Sequence, residues 1–315
     1  MLRAELNRNR RIGCEFEMYL PLLGGASNEQ VRASLAQVLS RNGLPTTSRG
    51  YSSAPIPCGY DLCVESNSSI RGTWEWDHVP YTPIEIDTKV LNGFDDFERI
   101  IPKALSICRD MGARVNRTCG FHIHLDFPEM EDNPKHIRSL TNLVYRYENV
   151  IYGLVCPSRR TCGYSVPLDA ARCEFVRRCR TRRSFQRALA GWDRHRGLNL
   201  TDVFSSSPQV EMRYHGGTLN EDKVRHWVIA CLQLFEHSLR RNCQAGPQLP
   251  NSRQSLGKLL ICIGCKPNRG VYTSVSPEIR DTGRWLLARW KNLNGAVSLR
   301  PKKTPAATDP SSRSQ

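Results

Sequence analysis

Three short segments of the sequence each carry two ionisable side chains separated by a single residue. These pairs are Glu15 with Glu17, His122 with His124, and Glu211 with Arg213. Side chains alternate between the two faces of a β-strand, so both members of each pair would lie on one face and their apolar neighbours on the other. If the three strands belong to one sheet, one face packs on a core and the other carries carboxylates, imidazoles and a guanidinium. Such a face is suited to binding hard metal ions and phosphate groups.

The carboxylates of this face favour a particular class of metal. Carboxylate oxygens suit Mg²⁺ or Mn²⁺, and an added imidazole is more typical of sites that tolerate Mn²⁺. Paired carboxylates at low dielectric repel each other, so their burial without a cation is unfavourable. Glu85 lies in an alternating segment and can add a third carboxylate. Arg213 is the best-placed phosphate clamp, with a salt bridge to a neighbouring glutamate as its alternative role; for His124, a ligand role and a structural role are equally open.

A zinc site is the alternative interpretation of the same residues. His122 and His124 with a glutamate form a ligand set typical of zinc-dependent hydrolases, but Arg213 beside the carboxylates favours a phosphate in the site. Two cysteine groups also allow zinc: the pair Cys262 and Cys265, and the four residues Cys156, Cys162, Cys173 and Cys179. The first group lacks a second pair and the second lacks the usual short spacing, so neither is favoured as a structural zinc site.

The composition indicates a folded protein without membrane segments. Of the 315 residues, 39% are hydrophobic and 24% are charged, which is enough to bury one large core. There is no apolar signal core and no apolar run long enough to cross a bilayer, and the 13 scattered cysteines suit a reducing compartment. We therefore expect a cytoplasmic protein. It would comprise a basic N-terminal extension over residues 1–10, a catalytic domain over 11–295 and a disordered basic tail over 296–315.

The net charge of +15 predicts an attraction for anions. Arginine clusters occupy residues 8–11, 177–183 and 240–241. The first cluster is interpreted as solvated charge. For residues 177–183 a contact with nucleic acid or an acidic substrate stays open, but few aromatic side chains are interleaved with the arginines, so nucleic acid is not a favoured partner.

Periodicity and capping signals outline the elements that must position these residues. A loop is predicted over residues 44–60, and a loop with helical pieces over 156–195. Besides the strands around Glu15 and Glu211, short strands are predicted over residues 60–65, 73–76, 84–90 and 119–127. Helices are predicted over residues 27–41, 95–111 with Pro102 as a kink or late start, 133–154, 220–241 and 279–293. P-loop, dinucleotide-binding and serine-hydrolase motifs do not occur in the sequence.

Eight segments match a known family in order. They are residues 12–17, 69–70, 84–86, 116–124, 158–159, 193–199, 210–213 and 217–218. On these segments the chain resembles the amidoligase family, within the carboxylate-amine ligase superfamily of glutamine synthetase and glutamate-cysteine ligase. The resemblance covers about residues 11–240, and the ordered combination is more specific than any single motif.

The resemblance implies both a fold and an activity. The fold would be α+β, with helices on one face of an antiparallel β-sheet and a concave catalytic face on the other, as in glutamine synthetase. The enzyme would use ATP and Mg²⁺ or Mn²⁺ to activate a carboxylate as an acyl phosphate, which an amine then attacks to form an amide. Its partners would be small-molecule or peptide carboxylate and amine substrates, and an oligomer is possible because ligases of this superfamily can complete sites across subunits.

The resemblance also implies roles for individual residues. The metal ligands would be Glu15, Glu17, Glu85, His122 and Glu211. Arg194 and Arg213 would stabilise the transferring phosphoryl group. The substrate- or nucleotide-binding residues would be Asn67, Ser69, His124, Arg159 and Asn199.

One position departs from the family pattern. Family members often carry Asp-x-Ser where this chain has Asn67 and Ser69, and that aspartate is the expected partner of the incoming amine. Asparagine supplies no charge, so either the amine site differs or Glu65 substitutes. The competing hypothesis is a degenerate ligase-fold protein that binds nucleotide or nucleic acid. Retention of all five implied metal ligands argues against it.

Overall fold

Alternation of apolar and polar residues produces a sheet with one buried face. The computed structural model describes residues 3–295, except residues 53, 68, 71–73, 77 and 269–273 and the side chain at position 74. Its strands are β1 (Arg3–Ala4), β2 (Ile12–Pro21), β3 (Thr46–Arg49), β4 (Leu62–Ser66), β5 (Trp74–Trp76), β6 (Val79–Thr88), β7 (Gly120–Asp126), β8 (Leu198–Asn199), β9 (Gln209–Gly216) and β10 (Ser274–Val275).

The main sheet has the strand order β3-β4-β6-β2-β7-β9-β8, and β5 pairs with β6 beside this path. Its neighbouring strands are antiparallel except β3 and β4, which are parallel. The strand with Glu15 and Glu17 therefore lies between the strand with Glu85 and the strand with the histidine pair. The predicted α+β class with a mostly antiparallel sheet is confirmed.

The helices form one continuous apolar core with the sheet. They are α1 (Asn28–Arg41), α2 (Phe94–Asp110), α3 (Glu129–Asp132), α4 (Lys135–Gly153), α5 (Ala170–Arg178), α6 (Arg182–Leu189), α7 (Glu221–Arg240), α8 (Arg253–Cys262) and α9 (Pro277–Asn294). Helix α7 contacts both α4 and β7. Between strands, the rings of Phe16 and Phe121 stack with centroids 4.7 Å apart. This burial fixes which face of each strand points away from the core.

Several elements differ from the sequence-based expectations. Residues 44–60 are not all loop, because their polar segment Thr46–Arg49 pairs in parallel with β4 as an edge strand. Strand β6 begins at Val79 and ends at Thr88, earlier at both ends than predicted. Pro102 lies inside α2 without ending it. Helix α8 is absent from the prediction, although Leu256, Leu259 and Ile263 have helical spacing. The predicted tail over 296–315 and the strand position 73 lie outside the described residues.

Two N-terminal arginines are structural, which corrects the expectation that residues 8–11 carry solvated charge. Arg10 is 8% exposed and donates hydrogen bonds to Glu129 and Glu236. Arg8 forms ion pairs with carboxylates of α2 and α9. Strand β1 pairs in parallel with β10. The segment from residue 3 to residue 10 therefore packs onto the domain.

All 13 cysteines are free thiols. Within the described part of the chain, no helix has the combined length and hydropathy needed to cross a membrane.

Glu148 on α4 makes the stability of the fold depend on pH. Its side chain is 1% exposed and accepts hydrogen bonds from the Tyr214 hydroxyl at 2.8 Å and the Leu168 N–H at 2.9 Å. Burial outweighs these donors and raises the pKa of Glu148 from 4.5 to about 7. The unfolded chain therefore loses this proton at lower pH than the folded chain, and the free energy of unfolding falls as pH rises through that interval.

We expect Glu148→Gln to remove this part of the pH dependence. Glutamine keeps an acceptor oxygen but does not titrate. Between about pH 5 and about pH 8, the free energy of unfolding should therefore fall by roughly 2–3 kcal/mol less in the variant than in the wild type. Urea unfolding at both pH values measures the effect. Glu29→Gln, at an exposed position of α1, is the control and should keep the wild-type slope. A Glu148→Gln variant with the wild-type slope would contradict the assignment.

Candidate functional site

Neighbouring strands project ionisable side chains from the sheet face opposite the core. Because β2 lies between β6 and β7, Glu15 has Asp87 on one side and His122 on the other. Glu17 is paired with Glu85 in the same register. We call this side of the sheet the acid face and define it by Glu15, Glu17, Glu85, Asp87, His122, His124 and Glu211.

Glu15 is held by both histidines of the acid face. Its Oε2 lies 2.8 Å from His122 Nδ1, and its Oε1 lies 2.7 Å from His124 Nε2. Burial alone would raise the pKa of Glu15, but the charge and hydrogen bonds of His124 and His122 hold it well below its ordinary value. Burial opposes the charged form of His124, yet Glu15 and Glu211 raise the pKa of His124 to about 9. At neutral pH the pair is therefore a carboxylate and an imidazolium.

Glu17 and Glu85 are joined by the amide of Asn67. Asn67 Nδ2 donates to Glu17 Oε1 at 3.1 Å and also to Glu85 Oε2. Ser69 Oγ donates to Glu17 Oε1 at 2.9 Å, and the backbone N–H of Gly120 donates to Glu17 Oε2. The structure therefore places Asn67 and Ser69 directly at the acid face.

Asp87 belongs to the acid face although no motif singled it out. Its Oδ1 is buried and accepts no hydrogen bond from the described residues. Burial and the nearby charge of Glu15 raise the pKa of Asp87 to about 7. Burial and Asp87 likewise raise the pKa of Glu85 well above its ordinary value. The signal was present in the sequence, because Asp87 follows Glu85 by two positions in an alternating segment.

Glu211 on β9 accepts hydrogen bonds from two of the predicted site residues. Asn199 Nδ2 donates to Glu211 Oε2 at 2.8 Å, and Arg213 Nη1 donates to Glu211 Oε1. Burial lowers the pKa of Arg213, but the charges of Glu211, Glu15 and Glu17 and the hydrogen bond to Glu211 together outweigh burial, so the pKa of this guanidinium is raised. Arg213 thus forms the salt bridge that was its alternative role, although with a glutamate of its own strand. A β-bulge in β9, between Met212 and His215, accompanies this arrangement.

The other two predicted arginines lie in different surroundings. Arg159 is 1% exposed and donates through Nη2 to the backbone carbonyl oxygen of Arg213 at 2.7 Å. It therefore supports the backbone of β9. Arg194 is exposed in the turn over residues 193–196 and forms no ion pair or hydrogen bond with a described residue. The structure does not bring Arg194 into contact with the acid face.

A cavity of about 670 Å³ borders the acid face. Glu15, Asp87 and His124 contribute to its lining, together with Ser52 and residues 54–56 and 206–209. A ligand in this cavity would contact the acid face. Its size is sufficient for a small-molecule substrate or a nucleotide.

The donors of the acid face fit a divalent cation. Two sets of three ligand atoms lie within 4.8 Å of one another: Glu15, His124 and Glu211, and Glu15, Glu85 and Asp87. His122 is 2% exposed, and its buried Nε2 has no hydrogen-bond partner among the described residues. Carboxylate oxygens with one imidazole suit Mg²⁺ or Mn²⁺. Neither predicted cysteine group forms such a set within the described part of the chain.

Carboxylate and imidazole side chains on a mostly antiparallel sheet form the candidate site. The chain belongs to the amidoligase family, since the family model described as "Putative amidoligase enzyme" matches residues 8–235. The predicted family is therefore confirmed. No curated protein matches the sequence.

Among solved structures, the chain is similar to a chain of the crystal structure of the complex between the prokaryotic ubiquitin-like protein Pup and its ligase PafA. The sequence identity is 13% and the TM-score is 0.38. The similarity covers 91% of this chain and 63% of that chain. This chain therefore spans less than two thirds of the length of the chain it matches.

We expect Gly120→Ala to weaken binding of a divalent cation at the acid face. A Cβ at residue 120 would collide with His122 Nε2 and would lie 3.1 Å from Glu17 Oε2. Displacement of groups that orient metal ligands typically costs about 10–100-fold in affinity, so the affinity for Mn²⁺ should fall by at least about tenfold. Isothermal titration with Mn²⁺ measures the change.

The matched control for that experiment is Gly163→Ala. Residue 163 is exposed, and a Cβ there would meet no atom within 4 Å. This variant should bind Mn²⁺ like the wild type. Circular dichroism confirms that both variants are folded. Unchanged affinity in a folded Gly120→Ala variant would contradict the expected crowding at His122.

Proposed function

We propose that the protein is an ATP- and Mg²⁺-dependent carboxylate-amine ligase that forms an amide bond through an acyl phosphate. The observation that carries this proposal is the acid face, where carboxylates from β2, β6 and β9 converge around Glu15 in a chain of net charge +15. Such a group of carboxylates attracts divalent cations, which in turn attract nucleotide phosphates. Membership of the amidoligase family supports the reaction class.

The acid face is proposed as the concave catalytic face. Its metal ligands would be Glu15, Glu17, Glu85, His122 and Glu211. When bound, Mg²⁺ or Mn²⁺ would offset the charge of the nucleotide phosphates. Asn67 and Ser69 orient Glu17 through hydrogen bonds, and Asn199 orients Glu211. Such partners limit the rotation of a ligand and preserve its geometry.

Arg213 is proposed to stabilise the transferring phosphoryl group. Its Nη1 is fixed on Glu211, while its Nη2 has no hydrogen-bond partner among the described residues. A guanidinium oriented in this way presents donors to phosphate oxygens without further reorganisation. Arg194 is proposed to stabilise the same phosphoryl group, because its exposed side chain is available to a ligand that covers the turn at residues 193–196.

The substrates are proposed to be a small-molecule or peptide carboxylate and an amine. Asn67, Ser69, His124 and Asn199 are the proposed contacts. Glu65 is a poor substitute for the missing aspartate, because it is 3% exposed and lies 2.5 Å from Arg49 in an ion pair. Its charge is already balanced. The amine site therefore differs from the family pattern at this position.

We expect purified protein to release ADP from Mg²⁺-ATP only when a substrate pool of amino acids and polyamines is present. Glu15→Gln should reduce that release by about 100-fold, because the residue belongs to both candidate ligand sets. Glu29→Gln, at an exposed position of α1, should keep wild-type activity. A chelator should abolish the release, and added Mg²⁺ or Mn²⁺ should restore it.

Two outcomes would contradict the proposal. One is full ADP release by Glu15→Gln, since the carboxylate at the centre of the acid face would then be dispensable. The other is a wild-type protein that does not bind ATP. Hydrolytic activity that needs zinc and no ATP would instead establish the zinc-hydrolase alternative.

A further inference from the structure

Arginine is concentrated on two neighbouring helices, α5 and α6. Residues 170–189 contain seven arginines and a single acidic residue, Glu174, in a chain of net charge +15. The apolar residues of both helices, among them Val176 and Phe185, are buried in the core, so the arginines are left on the outer faces. Neither the acid face nor the cavity beside it includes a residue of this segment.

The two helices lie side by side and antiparallel. At one end, Arg172 Nη1 in α5 donates to the carbonyl oxygen of Ala190, just after α6, at 3.4 Å. At the other end, Cys179 Sγ donates to the carbonyl oxygen of Ser184 in α6 at 3.2 Å. Their outer faces therefore form one solvent-facing surface. We call it the arginine surface and define it by the exposed side chains Arg172, Phe175, Arg178, Arg183 and Arg187.

These arginines are not placed to stabilise their helices. Arg172 lies in the first turn of α5, and Arg183 lies in the first turn of α6. The N-terminal end of a helix is the positive end of its dipole, so a guanidinium there is unfavourable. Arg183 and Arg187 are also four positions apart on α6, a spacing that places like charges next to each other. Such a conflict with local preference indicates a role outside the fold.

Little negative charge within the protein balances the arginine surface. Arg183 and Arg187 form no ion pair or hydrogen bond with a described residue. Arg178 pairs with Glu174 at 3.1 Å, but this glutamate also pairs with a second arginine. Exposed ion pairs of this kind are weak, so carboxylates of a partner can replace them. The surface is therefore available to an anionic partner.

Phe175 gives the arginine surface an apolar element. Its side chain is 44% exposed. It lies three positions from Arg172 and three from Arg178, so it is a neighbour of both on α5. Carboxylates of a partner can bind the guanidinium groups while an apolar side chain of the same partner packs on the ring.

The same features favour an acidic polypeptide over a nucleic acid. Nucleic acids present uninterrupted negative charge, and single strands are bound through several stacked aromatic rings. Within residues 170–189, Glu174 would repel phosphates, and Phe175 is the one exposed aromatic side chain. A polypeptide can place an uncharged residue opposite Glu174 and an apolar residue on Phe175. An acidic polypeptide is therefore the better fit.

We propose that the arginine surface is a docking site for an acidic segment of a polypeptide. Carboxylates of the segment pair with the four arginines, and an apolar side chain packs on Phe175. Arginine suits this role because its planar guanidinium binds a carboxylate through two parallel hydrogen bonds. This docking is independent of the proposed ligase reaction.

The docking site lies near the cavity that borders the acid face. Arg182, in the first turn of α6, has its guanidinium over the ring of Phe204, 5.2 Å from the ring centroid. Phe204 is two residues before Ser206, which lines the cavity. A polypeptide held on the arginine surface would therefore have one end near the cavity.

Fluorescence anisotropy with the purified full chain tests the docking site. The probe is a labelled polyglutamate peptide with one leucine at its centre. We expect the wild type to bind it and Arg183→Gln/Arg187→Gln to bind it at least about tenfold more weakly, because two charge-assisted contacts are lost. The control is Arg41→Gln/Arg253→Gln, which removes the same charge from exposed positions of α1 and α8. Its affinity should stay within about twofold of the wild type.

Phe175→Ser separates specific docking from general attraction of charge. This variant should bind the leucine-containing peptide at least about threefold more weakly and plain polyglutamate like the wild type. A photoreactive leucine analogue at the centre of the peptide should cross-link to residues 170–189, which mass spectrometry of the digested complex identifies. Circular dichroism confirms that all variants are folded.

Four outcomes would overturn the inference. The first is a wild type that does not bind the peptide, and the second is an equal loss in the arginine variant and its control, since binding would then follow net charge alone. The third is cross-linking outside residues 170–189. The fourth is tighter binding of single-stranded polyuridylate than of the peptide, which would assign the surface to nucleic acid. Because no ATP or amine is present, failure of the proposed function would leave these results unchanged.

Discussion

Repulsion among carboxylates on one face of the central sheet is the constraint on which the rest of the site depends. Glu15 is balanced by two histidines, Glu17 by three hydrogen-bond donors and Glu211 by Arg213. Glu85 and Asp87 have no basic partner among the described residues, and burial together with the neighbouring carboxylates raises the pKa of both groups. A folded chain retains such a cluster at a cost in stability, which a bound divalent cation can offset. This need for compensation is the reason that the acid face is proposed as a site for divalent cations.

The apolar face of the same strands holds this cluster in place. On the core side, Phe16, which lies between Glu15 and Glu17, stacks on Phe121, which directly precedes His122. A shift of one residue in either strand would bury charged groups in the core and expose the aromatic rings, so the register is strongly specified. Buried Arg159 adds a second constraint, because it binds the backbone of β9 at Arg213. Packing thus determines where the chemical groups point.

Period-two alternation was sufficient to predict the pairs Glu15/Glu17 and His122/His124 and the face that they share. It could not determine strand order, which depends on long-range packing, and so Asp87 was not recognised as the neighbour of Glu15. Arg159 and Arg194 match family motifs, but these motifs do not show that Arg159 is buried and Arg194 is exposed. The polar sequence of edge strand β3 predicts a loop, because pairing with β4, rather than its own sequence, makes this segment a strand.

A crystal structure of the full chain with Mn²⁺ and a non-hydrolysable ATP analogue tests the central claim most directly. Anomalous scattering at the manganese edge identifies the ions independently of the protein model. The account predicts manganese peaks next to Glu15 on the acid face, with the phosphates of the nucleotide in contact with those ions. Nucleotide bound elsewhere, or an acid face without manganese at saturating concentrations, would contradict it.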